Sequence, residues 1–478
     1  MKLATLAMIS FFLLGLSGCG ARSSIEQLSV ARPTNSGPTG ELGSTLGSGG
    51  ISATGGGHEI GGTSYTQSLN SGGASSVGGA GVTTGQTSTA AQRSHTCMHG
   101  CGPTSASYPD CRVLCWGDNS FGELGNGTTV SSSVPVAVSG TDAPSHGGRS
   151  AVAAGAFDSC AFSDSGPIHC WGDNTYGELG DGTNAGSFSP VTVSGTDDFH
   201  MYQYDLVAGL AHHCALYGGV ICGYMACGCC SPQGAIQCWG DNSRGQLGNG
   251  QTVNSSLPVS VNGISDAVSI AAGSSHTCAA LGDGTVQCWG DNSRSQLGDG
   301  STTSSSVPVS VLNLTNAAST SKYYGNRCIG AGDLHTCVIL NDGTLQCWGD
   351  NAYGQLGNGT TAGSLVPVPV VEITNALEVT VGPNHSCAVL TDGTVRCWGD
   401  NRYGQLGNGT TLGSLVPVAV LGISGAQRLM VDAYHSCATL NNGEAQCWGD
   451  NSAGELGNGS TMSSLVPVKV QTAWQLQL

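Results

Sequence analysis

The chain has 478 residues, of which 9% are charged, with 14 basic residues against 31 acidic ones and a net charge of -17. No Lys/Arg cluster interrupts that acidity, so the electrostatic footprint that phosphate contacts require is missing, and this excludes nucleic acid as a partner. Gly at 77 and Cys at 22, without a collagen period, point to many turns and to a covalently stapled fold.

Lys2 is followed by an apolar stretch from Leu3 to Leu16 that is too short to span a bilayer and fits the core of a signal peptide. It ends in Leu16-Ser17-Gly18-Cys19, which resembles the lipobox of bacterial lipoproteins. The resemblance implies that residues 1–18 are a signal peptide and that Cys19 is acylated, and several acyl chains on one residue give stable anchoring. Gly20 and Ala21 follow with no Asp beside Cys19. By analogy with lipoprotein sorting, the expected address is the outer membrane, on its periplasmic side or at the cell surface. Export permits disulfides, so paired cysteines read as bridges before metal ligands. Residues 19–90 are rich in Gly, Ser and Thr without apolar periodicity. Such a stretch reads as a flexible tether reaching roughly 45 Å.

From residue 91 a repeat takes over. Cys-Trp-Gly-Asp-Asn recurs seven times, at Trp116, Trp171, Trp239, Trp289, Trp348, Trp398 and Trp448, with spacings of 50 to 68 residues. That period suits a four-stranded propeller blade. Around each tryptophan lie further fixed points, seen in the segment from Ile270: Ala-Gly then His276, an Asp-Gly turn, Trp-Gly-Asp-Asn, Gln-Leu-Gly and Pro-Val. This pattern resembles the regulator of chromosome condensation repeat in all seven copies. The resemblance implies an all-β, seven-bladed β-propeller of four-stranded antiparallel blades over 91–478. It implies little about activity, because exchange factors, inhibitors and uncharacterised scaffolds share the fold.

Within a blade the register follows from loop chemistry. Cys278 to Leu281 and Thr285 to Cys288 flank Gly282-Asp283-Gly284, a three-residue hairpin loop with Gly at the left-handed position. Counting back places Cys278 opposite Cys288, and likewise pairs Cys160–Cys170, Cys337–Cys347, Cys387–Cys397 and Cys437–Cys447, within bridging range. Cys97 and Cys115 bracket an insertion with its own pair, Cys101 and Cys111. Cys214 and Cys238 bracket Cys222, Cys227, Cys229 and Cys230, whose pairing is open between local disulfides and a metal site. Cys328, aligned with Ser269, is left over. No apolar strand precedes Cys97, while Trp474, Leu476 and Leu478 alternate with Gln475 and Gln477. Residues 472–478 are therefore expected to close blade one.

Six repeats carry a histidine at one position (His95, His212, His276, His335, His385 and His435), with Asp158 in blade two. A residue recurring in nearly every blade is expected to serve the blade by bonding to backbone, since catalysis needs groups in different roles. The Asp350-to-Gly357 type of loop reads as turn chemistry rather than calcium ligation. No nucleophile elbow, phosphate loop or zincin motif appears, so no enzyme activity, cofactor or resident metal is expected.

Departures from the repeat concentrate in 98–114, 139–150, 195–205, 217–236 and 318–326, which an antiparallel blade topology places on one face. They carry Tyr108, Phe199, Met201, Tyr202, Tyr204, Tyr217, Tyr224, Met225, Tyr323 and Tyr324, residue types enriched in interface cores. The expected function is a monomeric, non-enzymatic scaffold at the cell envelope that binds a protein or glycan through this face. The alternative is a propeller-type enzyme inhibitor. Guanine-nucleotide exchange is disfavoured by export, and a polysaccharide-active hydrolase or lyase by the uniform ring.

Overall fold

A computed structural model describes residues 95–101, 110–141, 143–144, 150–163, 166–196, 202–218, 234–318, 327–471 and 475–477. The signal-peptide and tether assignments lie outside these residues. Seven antiparallel sheets follow one another around a ring, six of them built from four consecutive strands. Blade four is representative, with Ala267–Ala272 innermost, then His276–Leu281, Val286–Gly290 and, at the rim, Ser305–Ser310. The loop joining the middle strands is the three-residue turn read from sequence. Leu281 and Thr285 close it, and Gly284 takes a φ of +84° that a side chain would resist.

Blade one draws its strands from both ends of the chain. His95–Cys101, Asp110–Gly117 and Ser132–Ala137 are consecutive, and Gln475–Gln477 lies antiparallel to the first, with His99 opposite Gln477 and Cys101 opposite Gln475. The ring is thus joined by hydrogen bonds between the two ends of the propeller rather than by a covalent link.

Burial explains the strand order. The second strands, such as His276–Leu281 and His385–Leu390, are buried throughout, whereas the rim strands expose a third to a half of their residues. Each of the seven repeat tryptophans is fully buried and belongs to its predecessor's core: Trp289 packs with Val207, Leu216 and Ile236 of blade three, and Trp448 with Val389, Val395 and Leu406 of blade six. The Gln-Leu-Gly glycine makes room for this ring. A Cβ on Gly248 would lie 2.7 Å from the Trp289 indole nitrogen.

Seven disulfides cross the middle of the blades, joining Cys97–Cys115, Cys160–Cys170, Cys214–Cys238, Cys278–Cys288, Cys337–Cys347, Cys387–Cys397 and Cys437–Cys447. Each joins residues directly opposite in the register, with Cα atoms 4.0–4.1 Å apart. The same register sets Cys101 opposite Cys111. Cys328 is unbridged and buried, while Cys222, Cys227, Cys229 and Cys230 lie outside the described residues. Replacing Cys278 and Cys288 together by Ala opens a loop of about 11 residues and is expected to cost about 2–3 kcal/mol. Equilibrium denaturant unfolding checks this; an unchanged midpoint would show that the bridge adds nothing to the hairpin.

Candidate functional site

The recurring histidines do not serve their own blade's backbone, as the repeat had suggested; they tie each blade to the next. Their Nε2 atoms meet the hydroxyl of the following blade's second strand at 2.7–2.9 Å: His95 to Ser159, His212 to Thr277, His276 to Thr336, His335 to Ser386, His385 to Ser436 and His435 to Thr96. Each hydroxyl donates onward, at 3.0–3.2 Å, to a carbonyl of the preceding blade's Gln/Glu-Leu-Gly loop. That same carbonyl accepts the tryptophan indole N–H at 2.6–2.9 Å. A hydroxyl has one proton and spends it on the carbonyl, so the imidazole must be the donor, protonated at Nε2. Burial holds His276 and His435 down to about 4 and His335 and His385 to about 3, so they are neutral at physiological pH. A ring of neutral, committed imidazoles is structural.

One seam breaks the rule by a double exchange. Blade two has Asp158 in place of the histidine, and blade three has His213 in place of the hydroxyl, and the two side chains pair directly, both buried. Among the described residues, the one grouping with metal-ligand chemistry adds Cys160 to this pair. The Cys160 sulfur is already bonded to Cys170, which leaves two ligands and no site.

A second departure concerns the Gln/Glu position itself. In blades three to six the Gln246, Gln296, Gln355 and Gln405 amides donate to Asp241, Asp291, Asp350 and Asp400 of their own loops at 2.7–3.2 Å. Blades seven, one and two carry Glu455, Glu123 and Glu178 instead, buried near Asp450, Asp118 and Asp173. Burial raises these carboxyls to about 7, 7 and 8, and the neighbouring aspartates add to the effect. The same loops tie up the asparagine that had suggested calcium. The Asn351 amide donates to Thr360 and Ala362 carbonyls at 3.0 Å, and its oxygen accepts the Leu356 N–H at 2.9 Å.

The candidate face resolves only at its roots. Tyr108, Phe199, Met201, Tyr224, Met225, Tyr323 and Tyr324 lie outside the described residues, and Tyr202 and Tyr204 are placed as backbone of the strand Tyr202–Ala208. Tyr217 is a correction. It is 3% exposed and packs with Phe162, Ile168 and Trp239 in the seam between blades two and three, so it belongs to the core rather than to any face. The antiparallel register turns its side chain inward, a fact its position beside an insertion conceals. At this rim the Gly234 amide bonds the Tyr217 carbonyl, and Gly234 in turn accepts from Ala267 of blade four.

The opposite rim carries aromatic residues that the sequence reading passed over. Phe121 packs on Phe157 and Tyr403 on Tyr434, each with ring centres 4.7 Å apart, and Arg402 lies 5.1 Å over the Tyr353 ring. The signal was present: Phe121, Tyr176, Arg244, Arg294, Tyr353 and Tyr403 all stand two residues after the repeat's asparagine.

Through the centre runs a cavity of about 180 Å³ walled by the inner strands. Its bore is lined by small residues such as Ala153, Ala208, Ala271, Gly330 and Val379. Charge enters at the position equivalent to Ser269, which is Asp205 in blade three, Cys328 in blade five, Glu378 in blade six and Arg428 in blade seven. Arg327 donates to Asp205 Oδ1 at 3.1 Å and to the Leu206 carbonyl at 3.0 Å. Glu378 is 2% exposed, and its Oε2 has no hydrogen-bond partner. Burial lifts its carboxyl to about 7 against the pull of Arg428 and Arg327. Asp432 stands where blades two to six have glycine.

A family described as the RCC1-like domain matches residues 219–477, and regulator of chromosome condensation repeats match 110–161 and 165–216. The ultraviolet-B receptor UVR8 of Arabidopsis thaliana is 28% identical over 267 residues, covering 55% of each chain. The E3 ubiquitin-protein ligase HERC2 of Homo sapiens is 30% identical over 185 residues, 38% of this chain and 3% of that protein. The chain therefore spans little more than half of one relative and a small part of the other. Among solved structures, Prp20p of Saccharomyces cerevisiae, described by its binding to Gsp1p and histones, superposes with a TM-score of 0.63 at 20% identity, over 77% of this chain and 87% of that one. Human WBSCR16 gives 0.62 at 20% identity, over 76% and 94%. These likenesses establish the propeller.

Proposed function

We propose that this chain, which belongs to the RCC1-like domain family, is a binding scaffold held at the cell envelope by a lipid on Cys19. It engages a protein partner through the face that bears its insertions and carries out no chemistry itself. The observation that carries this reading is where repeat length varies. In the sequence, five departures occupy connections that an antiparallel blade topology brings to one end of the blades, four of them in the adjacent sector of blades one to three, while the loops after Trp-Gly-Asp-Asn keep their length. A repeat scaffold gains a partner through such departures, because the packed seams tolerate little change while connecting loops tolerate much. Prp20p, similar in fold, is itself described by its protein partners.

The test compares intact protein with a form in which 197–201 and 219–233 are shortened, leaving the core residue Tyr217 in place. Cross-linking capture from envelope fractions is expected to yield a partner with the intact form and at least tenfold less with the shortened one. Undiminished capture would move the partner to the opposite rim, where Tyr176, Tyr353 and Arg402 are exposed. For the anchor, Cys19→Ala is expected to abolish fatty-acid labelling and to release the protein from the membrane fraction; persistent labelling would refute acylation at this residue.

A further inference from the structure

Three features of the central channel point to a ligand site distinct from the partner face. First, Glu378 is a buried carboxyl lining the cavity, and its Oε2 lacks any donor. A buried acceptor without a partner has lost its hydration uncompensated, so a ligand that supplies an N–H recovers that loss. Second, the charged lining residues are three acids, Asp205, Glu378 and Asp432, against two bases, Arg327 and Arg428. Arg327 and Asp205 neutralise each other, which leaves Glu378 and Asp432 against Arg428, so the balance favours a cation, as does the net charge of -17. Third, beyond this tier the bore is walled largely by small Ala, Gly and Val residues as far as Asp432, a lining that accepts an alkyl chain.

We propose that the channel binds a small linear organic ammonium ion, its N–H groups donated to Glu378 and its alkyl chain lying in the bore. The groups facing Glu378 are Arg428 from blade seven, Arg327 from blade five and Asp205 from blade three. No covalent step is involved. The ligand replaces the missing donor and keeps Glu378 ionised, in the way Gln amides satisfy the loop aspartates elsewhere in the molecule.

The experiment is titration calorimetry on the full chain with its bridges intact, using methylammonium and n-butylammonium as probes and butyrate and n-butanol as controls. Saturable binding of the ammonium ions is expected, tightening roughly fourfold for each added methylene, with neither control binding. Glu378→Gln, which preserves shape, is expected to weaken n-butylammonium at least tenfold while the melting transition persists. Should that variant fail to fold, the parent protein decides the matter by pH. Affinity is expected to fall more than tenfold between pH 8 and pH 5, as the carboxyl titrates near 7. Absence of ammonium binding, equal binding of butyrate or butanol, or an affinity that does not change with pH would each overturn the site.

Discussion

Stability is expected to peak near pH 5.5 and to fall by roughly 3 kcal/mol on going to pH 8, a fall that Gln at positions 123, 178 and 455 together would abolish. The sign follows from which state holds more protons. Glu123, Glu178 and Glu455 titrate near 7, 8 and 7 when folded, against 4.5 when unfolded. Above pH 4.5 the folded chain therefore binds more protons than the unfolded one, and stability declines until the folded carboxyls ionise. The buried histidines act oppositely. His276, His335, His385 and His435 stay neutral down to about 3–4, so below 6.5 the unfolded chain takes up protons that the folded chain refuses, and stability drops on acidification. Between about pH 5 and 6 the two sets largely offset each other; above that the histidine contribution fades as the unfolded imidazoles lose their protons near 6.5, while the glutamates continue to act, at about 1.4 kcal/mol per tenfold change in proton affinity. The groups facing them are Asp118 and Asp158 for Glu123, Asp158 and Asp173 for Glu178, and Asp450 for Glu455. Glu378 shares the behaviour, with a folded value of about 7, but in the triple variant its decline is outweighed by the opposing gain from the histidines. Denaturant unfolding at half-unit steps of pH gives the curve; a triple variant that declines as the parent does would remove these glutamates from the account.

The exchanged seam supplies the other large effect. Replacing either Asp158 or His213 by Ala leaves its partner buried and unpaired, and is expected to cost about 3–5 kcal/mol. The double change Asp158→His with His213→Thr writes the pattern of the other seams into this one, and is expected to stay within about 1 kcal/mol of the parent. The glycine against which the imidazole packs in other blades is present here too. A Cβ on Gly155 would come within 2.2 Å of Asp158, much as one on Gly273 would lie 2.3 Å from the His276 ring. The coupling from a double-mutant cycle measures the seam; additive losses would show that the two side chains act separately.

Much of the architecture was legible because the repeat repeats. Seven tryptophans count the blades, and a three-residue loop with glycine at its left-handed position fixes which cysteines oppose one another. Cys328 was identifiable as the unpaired thiol because the other repeats place no cysteine there. Relations between repeats were harder to read. The histidine contacts lie 51 to 65 residues downstream, or 339 across the closure, and nothing within one repeat reveals them. Yet the double exchange at Asp158 and His213 was visible as two simultaneous departures, and it names the contact once both are compared. The channel charges were concealed differently. Asp205, Glu378 and Arg428 are single polar residues in otherwise apolar strands, and only aligning the inner strands against Ser269 shows that they share one level.

The direction of the seam bonds bears on how such a ring can grow. Each of the six recurring histidines points forward, so a blade needs only a hydroxyl and an indole on its receiving side and a histidine and a carbonyl on its giving side. Gene duplication can insert a further copy of blade four, five or six without spoiling either junction. Blades two and three are the exception. Separated by an inserted copy, each would present a buried group that its new neighbour cannot satisfy, so the two must be inherited as a unit.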